Sequence, residues 1–154
     1  MLVHTAGRIR AKRLYLVGIG LEDEFVLDRL RQAAGVISKM ARKGGSSEIA
    51  FAVIDHKRIL PSDAAPAIVE GTALANYEFG DYKSKKDDEN KVIKNFIVFG
   101  TEHMSLAELR SGATLGQTIS DSVNLVRNLV NEPANVMNPT RFAAIVPIAS
   151  RRES

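Results

Sequence analysis

Three short apolar runs are spaced along the chain, and stretches with helical periodicity separate them. The runs span residues 13–19, 49–54 and 92–99. In the first two, apolar residues occupy successive positions, which predicts interior strands with both faces buried. Strand and helix alternate throughout, and this predicts an α/β fold with a mixed or largely parallel sheet and helices on both faces. Three strands make a narrow sheet for this fold class, so we expect the layered α/β structure to be incomplete.

The first helical stretch is predicted to span residues 23–43. Its apolar residues recur at intervals of three and four and form one face, which comprises Val26, Leu30, Ala33, Ile37 and Met40. Acidic residues lie at the start of the stretch and basic residues at its end, which matches the helix dipole. Gly44 and Gly45 then supply the left-handed conformation that ends many helices.

The second helical stretch is predicted to begin with Asp63 as its N-cap and to end near Tyr77. Pro66 would then lie in the first turn, where its missing N–H costs little. The following residues 85–91 mix Lys, Asp and Glu without an apolar face. That composition predicts a solvated loop.

The third helical stretch is predicted to begin at Ser105, because Ser105 and Glu108 have the spacing of a capping box. The predicted inner face consists of Leu109, Ala113, Gly116, Val123, Val126 and Val130. Gly112 and Gly116 each weaken the helix by roughly 1 kcal/mol relative to Ala. They therefore indicate either a break or a close contact with a neighbouring helix.

An exit rich in Asn and Pro follows this helix and is typical of a domain edge. Pro133 and Pro139 interrupt the helical pattern, and we expect Pro147 to interrupt the next one. We therefore divide the chain into a partial α/β domain at 1–104, a connecting helix and exit at 105–137, and the beginning of another domain at 138–154.

The composition is that of an ordinary globular protein, with 45% hydrophobic and 25% charged residues. No run approaches the roughly 18 apolar residues that a membrane helix needs. The chain contains no cysteine, which excludes thiolate chemistry and is compatible with a cytoplasmic location. The N-terminal residues do not have the pattern of a signal peptide.

Few residues have a spacing that indicates catalysis. Gly18 and Gly20 suggest a dinucleotide-binding turn, but Asp23 takes the place of the third glycine, and a tight turn from strand to helix is the favoured interpretation. The three histidines, at positions 4, 56 and 103, have no ligand at metal-binding spacing. We therefore predict neither a catalytic residue nor a metal ligand in this chain.

The densest group of cations comprises Arg8, Arg10, Lys12 and Arg13. A solvated surface is the simplest interpretation of this group, and a contact with a phosphate backbone is the alternative. The aromatic residues Tyr77, Phe79 and Tyr82 are predicted to pack at a helix end.

Three ordered segments resemble the leucyl aminopeptidases of the M17 metallopeptidase family. Residues 11–20 are similar to a strand in the N-terminal domain of that family, and residues 69–84 are similar to its passage from helix to loop. The most specific match begins with Val-Asn-Leu-Val-Arg-Asn-Leu-Val-Asn-Glu-Pro-Ala-Asn at 123–135 and continues through Pro139 and Thr140. It resembles the helix that connects to the catalytic domain.

The resemblance implies a cytoplasmic homo-hexamer that removes N-terminal residues, notably leucine, from peptides with two divalent metals, Zn or Mn. It also implies a macro-domain-like three-layer sandwich for the N-terminal domain, with the metal ligands in a larger C-terminal domain. The family signature Asn-Thr-Asp-Ala-Glu-Gly-Arg-Leu does not occur in this sequence. We therefore expect the assembly or regulatory part of such an enzyme, from a gene fragment or a changed reading frame, without its metal site.

Two other functions stay open from the sequence. The first is a DNA-binding accessory module, which the family also includes and which the cations at 8–13 would serve. The second is a macro-like binder of nucleotide or ADP-ribose, which would need a glycine-lined phosphate loop.

Overall fold

The computed structural model describes residues 1–53, 56–57, 59–79, 93–102 and 104–151. Within these residues, strands and helices follow one another in a mixed α/β order. The elements are β1 (Leu2–His4), β2 (Arg13–Tyr15), α1 (Leu27–Lys43), β3 (Glu48–Ala52), α2 (Pro61–Ala75), β4 (Asn95–Phe99), α3 (Leu106–Asn131) and α4 (Pro139–Arg151). The α/β class predicted from the sequence is confirmed.

Helix α2 is the centre of a layer of three helices, because α1 and α3 both pack against it. Residues 64–70 of α2 are all buried. Most of the side chains on α2 are small, so its neighbours can approach closely. Gly35 of α1 faces Gly71 and Ala75 of α2, where a Cβ on Gly35 would lie 3.1 Å from the Ala75 Cβ.

The glycines of α3 make a close helix contact rather than a break. A Cβ on Gly112 would lie 2.9 Å from the Pro66 ring, and a Cβ on Gly116 would lie 2.7 Å from the Pro66 carbonyl oxygen. Helix α3 runs without interruption past both positions. Of the two alternatives that the sequence left open, the close contact is therefore confirmed.

Strands β3 and β4 pair in parallel and place one face against the helices. Ile49 lies opposite Phe96 and Phe51 lies opposite Val98. Ile49 and Phe51 are buried in the core, whereas Ala50 and Ala52 on the other face are exposed. The prediction that both faces of this strand are buried is thus wrong for the described residues. Among the described residues, the helices cover one face of this narrow sheet.

Strands β1 and β2 form a separate antiparallel hairpin. The predicted buried strand at 13–19 is shorter than expected and lies at the surface, with Leu14, Leu16 and Val17 exposed. The difference arises because β2 pairs with β1, its neighbour along the chain, and not with the sheet that packs on the helices. An apolar run indicates a strand but does not identify its partner.

The starts of α1 and α2 also differ from the predictions. Helix α1 begins at Leu27 because Phe25 adopts an extended backbone that buries its ring, and a 3₁₀ turn at Glu22–Glu24 precedes it. Helix α2 begins with Pro61 at its first position, where a missing N–H costs little, rather than after Asp63. Pro66 consequently lies inside the helix, and the absence of a side chain at Gly112 leaves room for its ring.

The ends of α1 and α3 follow the sequence signals. Gly45 has a φ of +73° just after α1, as expected for a left-handed stop. The Ser105 hydroxyl accepts a hydrogen bond of 3.5 Å from the Glu108 N–H at the start of α3. Helix α4 continues from Pro139 to Arg151, so the predicted interruption at Pro147 is wrong.

Several sequence predictions lie outside the described residues. They include the solvated loop at 85–91, the last residue of the run at 49–54, the beginning of the run at 92–99, and the side chains of Tyr82 and His103.

Candidate functional site

The loop at residues 5–12 joins β1 to β2 and carries three exposed cations, Arg8, Arg10 and Lys12. Its conformation is held locally. The Thr5 hydroxyl donates a hydrogen bond of 2.6 Å to the Ala11 carbonyl, and the Thr5 N–H donates one of 3.2 Å to the Lys12 carbonyl. The three side chains thus lie on one hairpin tip without an acidic residue in the loop.

Arg13, the fourth predicted cation, has a different environment. Its guanidinium donates to the Gly44 carbonyl and, over 3.3 Å, to the Ser46 hydroxyl. Positive charge is favourable there because Gly44 caps the C-terminal end of α1. Arg13 therefore anchors the hairpin to α1, and the loop cations form the part of the group that a ligand can reach.

A groove runs between β4 and the first turns of α3, and we call it the β4–α3 groove. It has an open volume of about 470 Å³. Its apolar lining includes Val69, Phe96, Val98, Leu106, Leu109 and Ala113, and its polar lining consists of Lys94, Arg110 and Gln117. The sequence alone does not indicate this groove, because apolar residues that line an open groove follow the same pattern as residues of a closed core.

A polar network joins the C-terminal end of α2 to the last turns of α3. The Tyr77 hydroxyl donates to the Asn128 carboxamide oxygen at 2.8 Å and accepts from the Asn131 amide at 3.1 Å. Arg127 lies over the Tyr77 ring, 5.3 Å from its centroid, and donates to the Leu74 carbonyl at 3.0 Å. These contacts confirm that Tyr77 packs at a helix end, and they give the polar residues within the 123–135 segment a structural role.

A second interhelical contact joins α1 to α2. Arg31 and Glu70 form an ion pair of 2.7 Å, and Glu70 is buried. Nearby along the same helices, the Asn76 amide donates to the Ser38 hydroxyl and to the Thr72 carbonyl. Both contacts join α1 to α2 and stabilise the packing of the two helices.

The remaining candidate groups are not brought together among the described residues. His4 is exposed on β1, and His56 packs edge-on against Phe25 with ring centroids 4.9 Å apart. No three His, Cys, Asp or Glu side chains in the described part of the chain are grouped so that they could hold a metal ion.

Gly18 and Gly20 do not form the predicted turn from strand to helix. Gly20 has a φ of +94°, but α1 begins only at Leu27. Because the glycines are distant from a helix N-terminus, they lack the geometry with which such motifs bind a pyrophosphate.

Among the described helices, none combines the length and the apolar character that crossing a membrane requires.

The chain is similar to proteins of one family. The family model described as "Cytosol aminopeptidase family, N-terminal domain" matches residues 1–86. A "Probable cytosol aminopeptidase" of Alkaliphilus metalliredigens is 35% identical over 147 residues, which are 93% of this chain and 29% of that protein. A protein of the same description from Sulfurihydrogenibium sp. is 33% identical over 145 residues, which are 94% of this chain and 28% of that protein.

The fold is also found in a solved structure. The bottromycin maturation enzyme BotP, in complex with Mn, superimposes with a TM-score of 0.77 at 22% identity. That match covers 96% of this chain and 29% of BotP, so it shows a shared fold. The chain spans less than a third of the length of these relatives. On the family match and these relatives, the chain belongs to the cytosol aminopeptidase family, within the N-terminal part of its members.

Proposed function

We propose that this chain is the N-terminal assembly and regulatory domain of a leucyl aminopeptidase that acts as a homo-hexamer in the cytoplasm. The observation that carries the proposal is the alignment of cytosol aminopeptidases with 93% of the chain. The proposed partner is a catalytic domain of the same family, which would release N-terminal amino acids from peptides.

The two divalent metals of such an enzyme, Zn or Mn, do not fit the described part of this chain, which holds no suitable group of ligands. We therefore derive no catalytic step from its residues and place the metals in the catalytic domain. In our proposal this chain has a structural role. Helix α3, which is similar to the connecting helix of the family, would link it to the catalytic domain.

A chimeric enzyme tests this proposal. This chain would replace the matching N-terminal part of the Alkaliphilus metalliredigens protein, and an α/β domain of unrelated sequence would replace the same part in a control. We expect the first chimera to form hexamers and to hydrolyse leucine p-nitroanilide with Mn²⁺, and the control to do neither. A first chimera that folds but neither assembles nor turns over substrate would contradict the proposal.

The exposed loop cations favour a second function, the binding of nucleic acid. Arg8, Arg10 and Lys12 lie on one hairpin tip, and the net charge of the chain is +3. Three phosphate contacts without a groove-reading element should give weak binding that is indifferent to sequence.

Titration of a labelled duplex at two salt concentrations tests this function. Between about 0.05 M and about 0.2 M salt, three contacts should lose roughly 40-fold in affinity. Replacement of the three loop cations by Ala should remove the binding, whereas Arg29→Ala with Lys39→Ala on α1 should retain it. Binding that persists at the higher salt concentration, or a clear preference for one sequence, would refute this prediction.

A further inference from the structure

The main-chain groups on the outer edge of β4 have no hydrogen-bond partner among the described residues. The strand neighbour of β4, on its other edge, is β3. The Asn95 N–H and the Phe99 carbonyl both bond toward the β3 side. Because main-chain groups alternate along a strand, the N–H and C=O groups of Phe96 and Val98 point to the opposite edge. That edge can therefore accept another strand.

The β4–α3 groove lies beneath this edge. Phe96 and Val98, which face the groove, are only half-buried, whereas Ile49 and Phe51 at the paired positions of β3 are buried. Leu109 of α3 forms a buried part of the floor. The lining thus exposes apolar surface in the place where the groove-facing side chains of an added strand would lie.

Among the described residues, the charged side chains that line the groove are both cationic. They are Lys94 and Arg110, and neither has an ion-pair partner in the described part of the chain. Both side chains line the groove that alternate side chains of an added strand would enter. The groove is therefore complementary to a strand that combines apolar groups with carboxylates.

We propose that the β4–α3 groove binds an extended acidic peptide segment, which adds to β4 as the next strand of the sheet. Main-chain hydrogen bonds to Phe96 and Val98 supply affinity, and alternate side chains of the segment enter the groove, as in other cases of strand addition. A second copy of this chain fits less well, because pairing of two β4 edges would bring Lys94 and Arg110 of both copies together without an acidic partner. The proposal is independent of the aminopeptidase assignment.

A pair of labelled peptides tests the proposal with the full 154-residue chain. The acidic probe is acetyl-Glu-Thr-Val-Thr-Val-Thr-Glu-amide, whose alternate residues Glu, Val, Val and Glu can face the groove together. The basic probe has Lys in place of both Glu. By fluorescence anisotropy at low salt, we expect the acidic probe to bind about tenfold more tightly than the basic probe. Equal binding of the two probes would overturn the proposal.

Charge variants then locate the site. Lys94→Glu with Arg110→Glu should reverse the preference between the probes. Arg29→Glu with Lys39→Glu changes the net charge equally on exposed positions of α1 and should leave the preference unchanged. Retention of the original preference in the groove variant, or its reversal in the α1 variant, would contradict the assignment.

Backbone variants separate strand addition from simple charge attraction. Val98→Pro removes the outward N–H and leaves the ladder with β3 intact, so it should weaken the acidic probe about tenfold while circular dichroism stays unchanged. Two further acidic probes carry N-methyl groups, one at its threonines and the other at its valines. Their affinities should differ, because only one of these two sets of N–H groups faces β4. Equal affinity of both methylated probes with the parent probe would exclude strand addition. A lower mass of the Val98→Pro chain in light scattering would assign the edge to a second copy instead.

Discussion

Single glycine residues set the distance between the three long helices. At Gly71 of α2 a Cβ would overlap the Arg31 carbonyl of α1, and at Gly116 of α3 it would lie 2.8 Å from the Pro66 Cα. Both obstacles are backbone atoms, which cannot move without displacing a helix. Glycine is therefore required at these positions for the approach of neighbouring backbones.

Gly71→Ala tests this requirement. Alanine should favour the helix itself by roughly 1 kcal/mol, so a lower stability would show that the contact with α1 dominates. We expect a net loss of about 1–3 kcal/mol in the free energy of unfolding, measured by urea titration with circular dichroism. Gly18→Ala is the matched control, because its Cβ would meet nothing within 4 Å. Equal midpoints for the two variants would contradict this account.

At the scale of elements, α3 changes character along its length. Leu109, Gly112, Gly116 and Ser120 are buried against the other elements. Val126 and Val130, which the periodicity assigned to the same inner face, are 57% and 78% exposed. That prediction is wrong because α2 ends at Ala75, and the last turns of α3 are held mainly by the polar network around Tyr77.

Tyr77→Phe should therefore loosen the end of α3. The change removes hydroxyl bonds to Asn128 and Asn131 and should cost about 1 kcal/mol, with faster amide hydrogen exchange at 124–131. Tyr15→Phe is the same chemical change at a buried hydroxyl that has no hydrogen-bond partner among the described residues. The free energy of unfolding of this variant should therefore be unchanged or higher. The interpretation would be refuted by equal exchange rates in the two variants.

At the scale of the whole molecule, the sheet has an open apolar face. Ile97 and Phe99 are 46% and 49% exposed on β4, and Ala50 and Ala52 lie beside them on β3. A narrow sheet with an open face and short exposed edges tends to recruit other chains. Each large side chain left in water forgoes roughly 1.5–3 kcal/mol of burial, against a typical domain stability of about 5–15 kcal/mol.

We therefore predict that the isolated chain is weakly stable and self-associates through this face. Light scattering should give a mass above the 16.8 kDa of one chain. Ile97→Thr with Phe99→Thr should lower that mass, and Val126→Thr with Val130→Thr on α3 should not. A monodisperse parent chain with a steep cooperative urea transition would show that the open face has no such effect.

The isolated chain should also lack peptidase activity. No metal-ligand group occurs among its described residues, and the family signature is absent from its sequence. Incubation with leucine p-nitroanilide and millimolar Mn²⁺ or Zn²⁺ checks this prediction. Turnover that copurifies with the chain and disappears in the Gly71→Ala variant would refute it.

The amino-acid sequence by itself determined the features that depend on neighbouring residues. Ser105 caps α3, Gly45 ends α1, and the apolar runs at 49–54 and 92–99 contain strands. The α/β class and the family also follow from the sequence, because alternating elements and the 123–135 segment are recognisable in the chain alone. These signals are local, since a cap or a turn is formed within a few residues.

Only the tertiary structure decided which segments meet. Three features depend on a partner that is remote or ambiguous in the sequence. They are the pairing of β2 with β1, the exposure of Ala50 and the hydrogen bond from Arg13 to the Gly44 carbonyl. The β4–α3 groove depends in addition on what lies beside β4. Burial and pairing are properties of the space around a residue, and a pattern along the chain specifies the apolar face but not the segment that covers it.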